Sequence, residues 1–125
     1  MRLLLDTHIL LWLMEDSPRL SRQARSLIVS ATEVFVSSVS VCEMAIKSRL
    51  GKLEEDPELI VEKLGAAGLK ELDVSYHHAL ATSKLPPVHG DPFDRLLIAQ
   101  AIVEPMQFLT ADAKLAAYSQ LVMAV

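Results

Sequence analysis

Residues 2–8 read Arg2-Leu3-Leu4-Leu5-Asp6-Thr7-His8, a short apolar run that ends abruptly in a carboxylate. Such a run predicts a strand that is buried on both faces, as in a parallel sheet covered by helices. Asp6 would then lie at the carboxyl end of that strand. In open α/β sheets ligands bind at this edge, because the loops and the helix N-termini gather there. Asp6 is therefore the first candidate site residue.

Size and composition predict one packed domain over residues 1–125. Of the 125 residues, 51% are hydrophobic, which is ample material for a core. The chain has 12 basic and 16 acidic residues and a net charge of −4. This balance argues against a protein that holds nucleic acid by bulk positive charge alone. A phosphate-bearing substrate would need a local basic patch or a bound cation.

Cysteine content and the apolar runs bear on the compartment. The single cysteine, Cys42, excludes an internal disulfide and suits a reducing cytosol, so we expect a cytoplasmic protein. We expect Cys42 itself to be a small buried residue. Asp6 and His8 interrupt the apolar core that a signal peptide would need. The nearby apolar run at 9–14 is far shorter than the ~18 residues that span a bilayer.

Apolar patterning predicts strands that alternate with helices through nearly the whole chain. This order favours an α/β fold with a parallel sheet and helices on both faces. The predicted strands are 3–5, 34–36, 69–74, 106–109 and 121–125. The predicted helices are 7–14, 21–31, 41–47, 57–67, 76–83 and 92–103, with a short helix after 112 and a loop at 85–90.

Four acids fall just after a predicted strand or at the start of a predicted helix: Asp6, Glu43, Asp94 and Asp112. Helix capping explains each of them singly. Ser40 with Glu43, and Asp91 with Asp94, fit capping boxes. Asp6 fits an N-cap, and Asp112 fits an acid that gains from the helix macrodipole.

Taken together, the four acids point to a cation. Capping needs one polar residue per helix and gives no reason for four acids at one sheet edge. Adjacent carboxylates repel and raise one another's pKa values unless a cation is present. Mg²⁺ or Mn²⁺ takes oxygen ligands and bridges to phosphate, so it suits this site better than Zn²⁺. The corresponding chemistry is phosphodiester cleavage, with the ion activating water and stabilising charge on the phosphate.

At these residues the chain resembles the PIN-domain family, and within it the VapC-type ribonuclease toxins of toxin–antitoxin pairs. The resemblance covers essentially the whole chain. The segments that carry it are Leu3-Leu4-Leu5-Asp6-Thr7-His8, Ser40-Val41-Cys42-Glu43, Leu85-Pro86-Pro87, the run from Asp91 through Asp94 to Ala101, and Leu109-Thr110-Ala111-Asp112.

The resemblance implies a three-layer α/β/α fold and a Mg²⁺- or Mn²⁺-dependent endoribonuclease that acts on RNA. It also implies frequent homodimerisation and inhibition by a small antitoxin protein. Asp6 and Asp94 would be direct metal ligands, and Glu43 and Asp112 would complete the pocket or position water. Thr110 would hydrogen-bond a ligand carboxylate or a phosphate oxygen. Asp91 competes with Asp94 for the third acid, and the proline between them favours Asp91 as the helix cap.

Several further residues allow two interpretations. Lys47, Arg95, Arg49 and Lys52 either hold the RNA backbone or form an ordinary solvated face. Trp12 lies in a helix that is apolar nearly all round, so it is either core or a surface shared with a second subunit or an antitoxin. His77, His78 and His89 have no partner at metal-ligand spacing, and we expect no zinc site.

Three other functions are possible alternatives to the nuclease. A haloacid-dehalogenase-like phosphatase needs a second Asp two residues after the first, where His8 stands. A receiver domain needs a phosphorylatable Asp after the third strand, where only Asp73 is near. A PIN-fold protein that has lost its activity and only binds a partner is the remaining rival, and the presence of all four acids argues against it.

Overall fold

The computed structural model describes residues 1–88 and 90–125. Its strands are β1 (Arg2–Leu5), β2 (Glu33–Ser37), β3 (Leu69–Leu72), β4 (Gln107–Thr110) and β5 (Val122–Ala124). Its α-helices are α1 (Thr7–Met14), α2 (Arg22–Ser30), α3 (Ser38–Arg49), α4 (Pro57–Leu64), α5 (Tyr76–Ala81) and α6 (Pro92–Val103). Two 3₁₀ helices lie at Thr82–Lys84 and Ala113–Ala117. The predicted alternation of strands and helices is confirmed.

All neighbouring strands pair in parallel, in the order β3-β2-β1-β4-β5. The chain therefore winds outward from β1 to one edge of the sheet and then returns to build the other side. The winding direction reverses between β1 and β4. In sheets of this kind the crevice for a ligand lies at the carboxyl ends of the strands at this point.

The sheet is buried between two hydrophobic cores, one on each face. Leu3 and Leu5 of β1 pack in the core that α1, α2 and α4 cover. Leu4 points to the opposite face and packs with α6 and with Phe108 of β4. Because successive side chains of a strand alternate between faces, an all-leucine strand needs cover on both sides. The three-layer α/β/α architecture follows directly.

The structure corrects the prediction for α3. The helix begins at Ser38, and the side chain of Ser37 caps it by accepting a hydrogen bond from the Val39 N–H at 3.0 Å. Ser40 consequently lies inside the first turn, so the capping box predicted for Ser40 and Glu43 is wrong. Cys42 is exposed, contrary to expectation, because this helix turns it outward.

Other boundaries differ by a few residues. β3 ends at Leu72 and α4 ends at Leu64, three residues before the predicted end. His89 lies outside the described residues, so nothing follows here for the prediction made about it. Among the described residues no helix combines the length and the hydropathy that crossing a membrane requires.

Candidate active site

Asp6 follows β1 directly and caps α1. Its Oδ1 accepts a hydrogen bond from the Thr7 N–H at 2.8 Å, and its backbone N–H donates to the Leu109 carbonyl of β4 at 2.9 Å. The residue is 7% exposed. The N-cap that the sequence allowed is thus present, and the cap places the carboxylate in the crevice between β1 and β4.

Thr110 at the end of β4 holds Asp6 from the other side. Its hydroxyl donates to Asp6 Oδ2 at 2.6 Å, and it accepts from the Asp112 N–H at 3.0 Å. Burial raises the pKa of Asp6, while the hydrogen bonds from Thr110 and Thr7 oppose that rise. The hydroxyl of Thr110 is therefore hydrogen bonded to the carboxylate of Asp6, and it also fixes the backbone at Asp112; that Asp6 binds a metal ion stays a prediction.

Glu43 reaches the same edge from the middle of α3. Its Oε1 accepts a hydrogen bond from the Thr7 hydroxyl at 2.7 Å, and its Oε2 forms a salt bridge with Lys47 at 2.6 Å. The Thr7 hydroxyl also contacts Ser40 Oγ at 2.9 Å. Glu43 is 7% exposed, so these partners hold a nearly buried carboxylate next to the residue that follows Asp6.

Asp94 lies in the first turn of α6 and is partly buried. Burial raises its pKa to about 7, with further contributions from the negative charges of Asp6, Asp91, Glu43 and Asp112. These four carboxylates are close enough for their charges to act on Asp94. The negative charges of Asp6, Glu43 and Asp112 therefore reach Asp94, and that these acids form one catalytic site stays a prediction.

Asp112 and Asp91 both act as helix caps. Asp112 accepts from the Lys114 N–H at 3.0 Å at the start of a 3₁₀ helix. Asp91 accepts from the N–H groups of Phe93 and Asp94 at 2.9 and 3.1 Å. The assignment of Asp91 to the N-cap of α6 is confirmed, and it leaves the carboxylate of Asp94 available to the crevice.

A buried hydrogen bond fixes α3 against α6. Ser37 Oγ lies 2.5 Å from Gln100 Oε1 of α6, and both residues are fully buried. Because α3 carries Glu43 and α6 carries Asp94, this bond helps to set the spacing of two of the acids. Neither Ser37 nor Gln100 was singled out in the sequence.

The basic residues have different surroundings. Lys47 pairs with Glu43 and remains partly exposed at the crevice. Arg95 donates to the backbone carbonyls of Pro86 and Thr82, both at 3.0 Å, and stacks over the Tyr118 ring at 5.6 Å. These contacts make Arg95 an anchor for the segment before α6. A direct contact of Arg95 with substrate stays a prediction.

The carboxylate oxygens of these acids are the type of ligand that a hard divalent cation prefers. Their arrangement limits how many of them could contact one ion directly. Among the described residues no group of three or more His, Cys, Asp or Glu side chains is arranged to bind a metal ion. Mg²⁺ is commonly bound by one or two carboxylates and keeps several waters. The donor set therefore fits an ion that contacts one or two of the acids directly and reaches the others through water. That all four are metal ligands stays a prediction.

Sequence reasoning missed Thr7 and Ser40 as supports of the acids. Both are fully or almost fully buried, although their side chains are polar. Thr7 lies next to Asp6 and Ser40 lies one helical turn before Glu43, but nothing local reveals a contact between residues so far apart in the chain.

Comparison with known proteins gives matches to one family. The model of the PIN domain matches residues 3–121. Ribonuclease VapC22 of Mycobacterium tuberculosis (strain ATCC 25618 / H37Rv) is 30% identical over 114 residues, which cover 90% of this chain and 88% of that protein.

Solved structures with the same fold include complexes of VapBC proteins. VapBC2 from Rickettsia felis, bound to a DNA fragment from its promoter, has a TM-score of 0.72 at 19% identity and covers 99% of this chain and 98% of that chain. DNA-bound VapBC from Salmonella typhimurium has a TM-score of 0.68 at 12% identity and covers 100% and 97%. At these identities the likeness shows the fold alone.

Proposed function

Since this chain belongs to the PIN domain family, we propose that it is a metal-dependent endoribonuclease and the toxin of a toxin–antitoxin pair. The observation that carries the proposal is the pKa of Asp94, which burial and four neighbouring carboxylates raise to about 7. A pocket that concentrates negative charge in this way destabilises the protein without a cation. Such strain is typical of sites that perform chemistry.

Asp6 and Asp94 are the proposed direct ligands of Mg²⁺ or Mn²⁺. Both oxygens of Asp6 accept one hydrogen bond from the protein, and each keeps a second lone pair for an ion. Glu43 and Asp112 would act through ordered water around the ion. When bound, the ion would lower the pKa of water and stabilise charge on the cleaved phosphate.

The other polar residues position these acids. Thr110 and the Thr7 backbone fix the orientation of Asp6, and the Thr7 hydroxyl and Lys47 fix Glu43. Lys47 remains partly exposed, so its ammonium can also approach a phosphate of the RNA. Arg95 would act on the RNA through the segment that it anchors.

The proposed partners follow from the relatives. The similar structures from Rickettsia felis and Salmonella typhimurium are VapBC complexes, so we expect a small antitoxin protein to bind this chain. The family resemblance leads us to expect a homodimer, and the single cysteine suits a cytoplasmic location.

The test is cleavage of a panel of tRNAs and ribosomal RNA fragments by the purified protein with Mg²⁺, Mn²⁺ or EDTA. We expect cleavage with either ion and none in EDTA. Asp94→Asn should lower the rate about a hundredfold or more, because it removes a charge that the reaction needs.

Asp91→Asn is the matched control. It removes a carboxylate three residues away but keeps a good N-cap, so its rate should stay near that of the wild type. Equal loss in both variants would place Asp91 in the site. If the wild type cleaves no RNA with any ion, a PIN-fold protein that only binds a partner becomes the better interpretation.

A further inference from the structure

A groove lies next to the acids and is lined at one end by Thr7. It has a volume of about 290 Å³ and runs between α1, the end of α3 and the loop that follows α3. This volume is just below the range for small-molecule sites, which begins at roughly 300 Å³. Thr7 and Lys47 line the groove, and both contact Glu43. The groove is therefore continuous with the proposed active site.

Two aromatic rings form one wall of the groove. Trp12 is partly buried and His8 is exposed, and their ring centroids are 5.9 Å apart at an angle of 40°. They lie four residues apart on α1, so both rings face the same side of the helix. An unpaired RNA base gains about 1–3 kcal/mol by stacking on an aromatic side chain.

The two ends of the groove carry opposite charges. Lys47 lies near the acids, where its ammonium pairs with Glu43, and the Lys52 backbone N–H donates to the Lys47 carbonyl at 2.8 Å. Lys52 also lines the groove, and its ammonium forms no salt bridge with any residue that the structure describes. At the other end Glu15 and Glu55 are hydrogen bonded to each other through their side chains. That hydrogen bond raises the pKa of Glu15 and lowers the pKa of Glu55, and a backbone hydrogen bond lowers the pKa of Glu55 further, so Glu55 ionises more readily than Glu15.

The separation of the two ends matches one nucleotide. Thr7 and Glu15 lie at the two ends of α1, about 12 Å apart at a rise of 1.5 Å per residue. A nucleotide whose phosphate lies by the lysines would place its base along Trp12 and the edge of that base at the carboxylates.

We propose that this groove binds one unpaired guanine nucleotide of the RNA, next to the phosphodiester bond that the acids cleave. The inference rests on the proposed ribonuclease function and names a specificity-determining subsite for it. A carboxylate accepts hydrogen bonds, so it selects a base whose edge carries donors. Guanine presents two adjacent donors, N1–H and the 2-amino group, which match the two oxygens of one carboxylate. Adenine, cytosine and uracil each present a single donor group beside an acceptor.

The charge pattern favours RNA over a protein segment as the occupant. An arginine side chain could pair with Glu55, but the same segment would then pass Lys47 and Lys52. The lysines repel a basic segment and attract a phosphate. Only an occupant that is anionic at one end and rich in hydrogen-bond donors at the other satisfies both ends.

The binding test uses the wild-type protein in EDTA, where cleavage is not expected. Trp12 is the single tryptophan of the chain, so its fluorescence reports stacking in the groove. The ligands are single-stranded RNA tetranucleotides of uridine with one guanine, adenine, cytosine or inosine. We expect the guanine ligand to quench Trp12 and to bind about tenfold more tightly than the adenine ligand. Inosine lacks the 2-amino group and should lose most of this preference.

Two variants separate the roles of the two ends. Glu55→Gln should still bind the tetranucleotides but should reduce the preference for guanine to less than about threefold. Lys52→Ala should weaken binding of all tetranucleotides by a similar factor and leave the preference unchanged. Glu58→Gln, an exposed position on α4 outside the groove, is the charge-matched control and should behave as the wild type.

Two results would overturn the proposal. One is equal affinity for the tetranucleotides of all four bases, measured by quenching of Trp12. The other is tighter binding of a short arginine peptide than of the guanine ligand. RNA cleavage without guanine-dependent quenching would refute the subsite and leave the nuclease intact. Guanine-dependent quenching without RNA cleavage would support the subsite and refute the nuclease.

Discussion

Replacing Asp94 with asparagine should stabilise the metal-free protein at neutral and higher pH. The pKa of Asp94 rises from 3.8 to about 7, so its ionised form is disfavoured in the folded state. The unfolded chain loses this proton near pH 4, and the folded protein keeps it until about pH 7. The stability of the wild type therefore falls as the pH rises through this window, and the full penalty is present above pH 7.

The size of the effect follows from three contributions. The pKa change corresponds to about 4 kcal/mol if it acts at full strength. Asp94 is only partly buried, so solvent screening reduces this to about 1–2 kcal/mol. The substitution also loses the favourable interaction of the carboxylate with the N-terminus of α6, about 0.5 kcal/mol. We therefore expect Asp94→Asn to raise the free energy of unfolding by about 1 kcal/mol at pH 8 and to leave it unchanged at pH 4.

Urea denaturation followed by Trp12 fluorescence measures this difference. The midpoint should rise in the variant at pH 8 with an unchanged slope. Glu62→Gln removes an exposed acid on α4 and should leave the midpoint unchanged at both pH values. If Asp94→Asn has the midpoint of the wild type at pH 8, or an equally higher midpoint at pH 4 and pH 8, the argument that burial and the neighbouring acids disfavour the Asp94 carboxylate is wrong.

Three further predictions concern the supports of the site and the cation. Thr110→Val should destabilise the fold by about 1–3 kcal/mol and slow RNA cleavage, because it removes the hydroxyl that donates to the buried Asp6. Urea denaturation measures the stability, and initial rates measure the cleavage. A loss of stability with an unaltered cleavage rate would contradict the positioning role of Thr110. Asp91→Ala should cost about 1 kcal/mol by urea denaturation, because it removes the N-cap of α6, whereas Asp91→Asn should cost little. Millimolar Mn²⁺ should raise the thermal midpoint of the wild type more than that of Asp94→Asn. The bound ion offsets the repulsion between the site carboxylates in the folded state, and the variant has one carboxylate fewer. Equal shifts of the two midpoints, measured by calorimetry, would argue against a preformed acidic site.

The positions of the acids that follow strands could be predicted from the sequence, because parallel strands all end at the same edge of a sheet. Asp6 and Asp112 needed only the positions of β1 and β4. The proline after Asp91 correctly indicated that Asp91 caps α6. Asp94 was then the acid predicted to lie in the crevice. In each of these cases the informative residue and the feature that it reports are neighbours in the chain.

Contacts between distant residues could not be predicted in this way. The capping box assigned to Ser40 and Glu43 was wrong because Ser37 begins the helix earlier, and the two side chains instead meet Thr7. The anchoring of Pro86 by Arg95 and the pairing of Glu15 with Glu55 depend on how separate elements pack. A polar side chain in a single sequence does not reveal whether its partner is water or a residue thirty positions away.

The strand order has a consequence for synthesis of the chain on the ribosome. β1 is made first, yet it lies in the middle of the sheet, and its neighbour β4 is made about a hundred residues later. Thr110, which holds Asp6, arrives with that late strand, and Asp94 arrives only shortly before it. The nascent chain can pair β1 with β2 and β2 with β3, but it cannot complete the acidic crevice. Any activity that depends on this crevice would therefore be absent from the nascent chain until β4 has emerged from the ribosome.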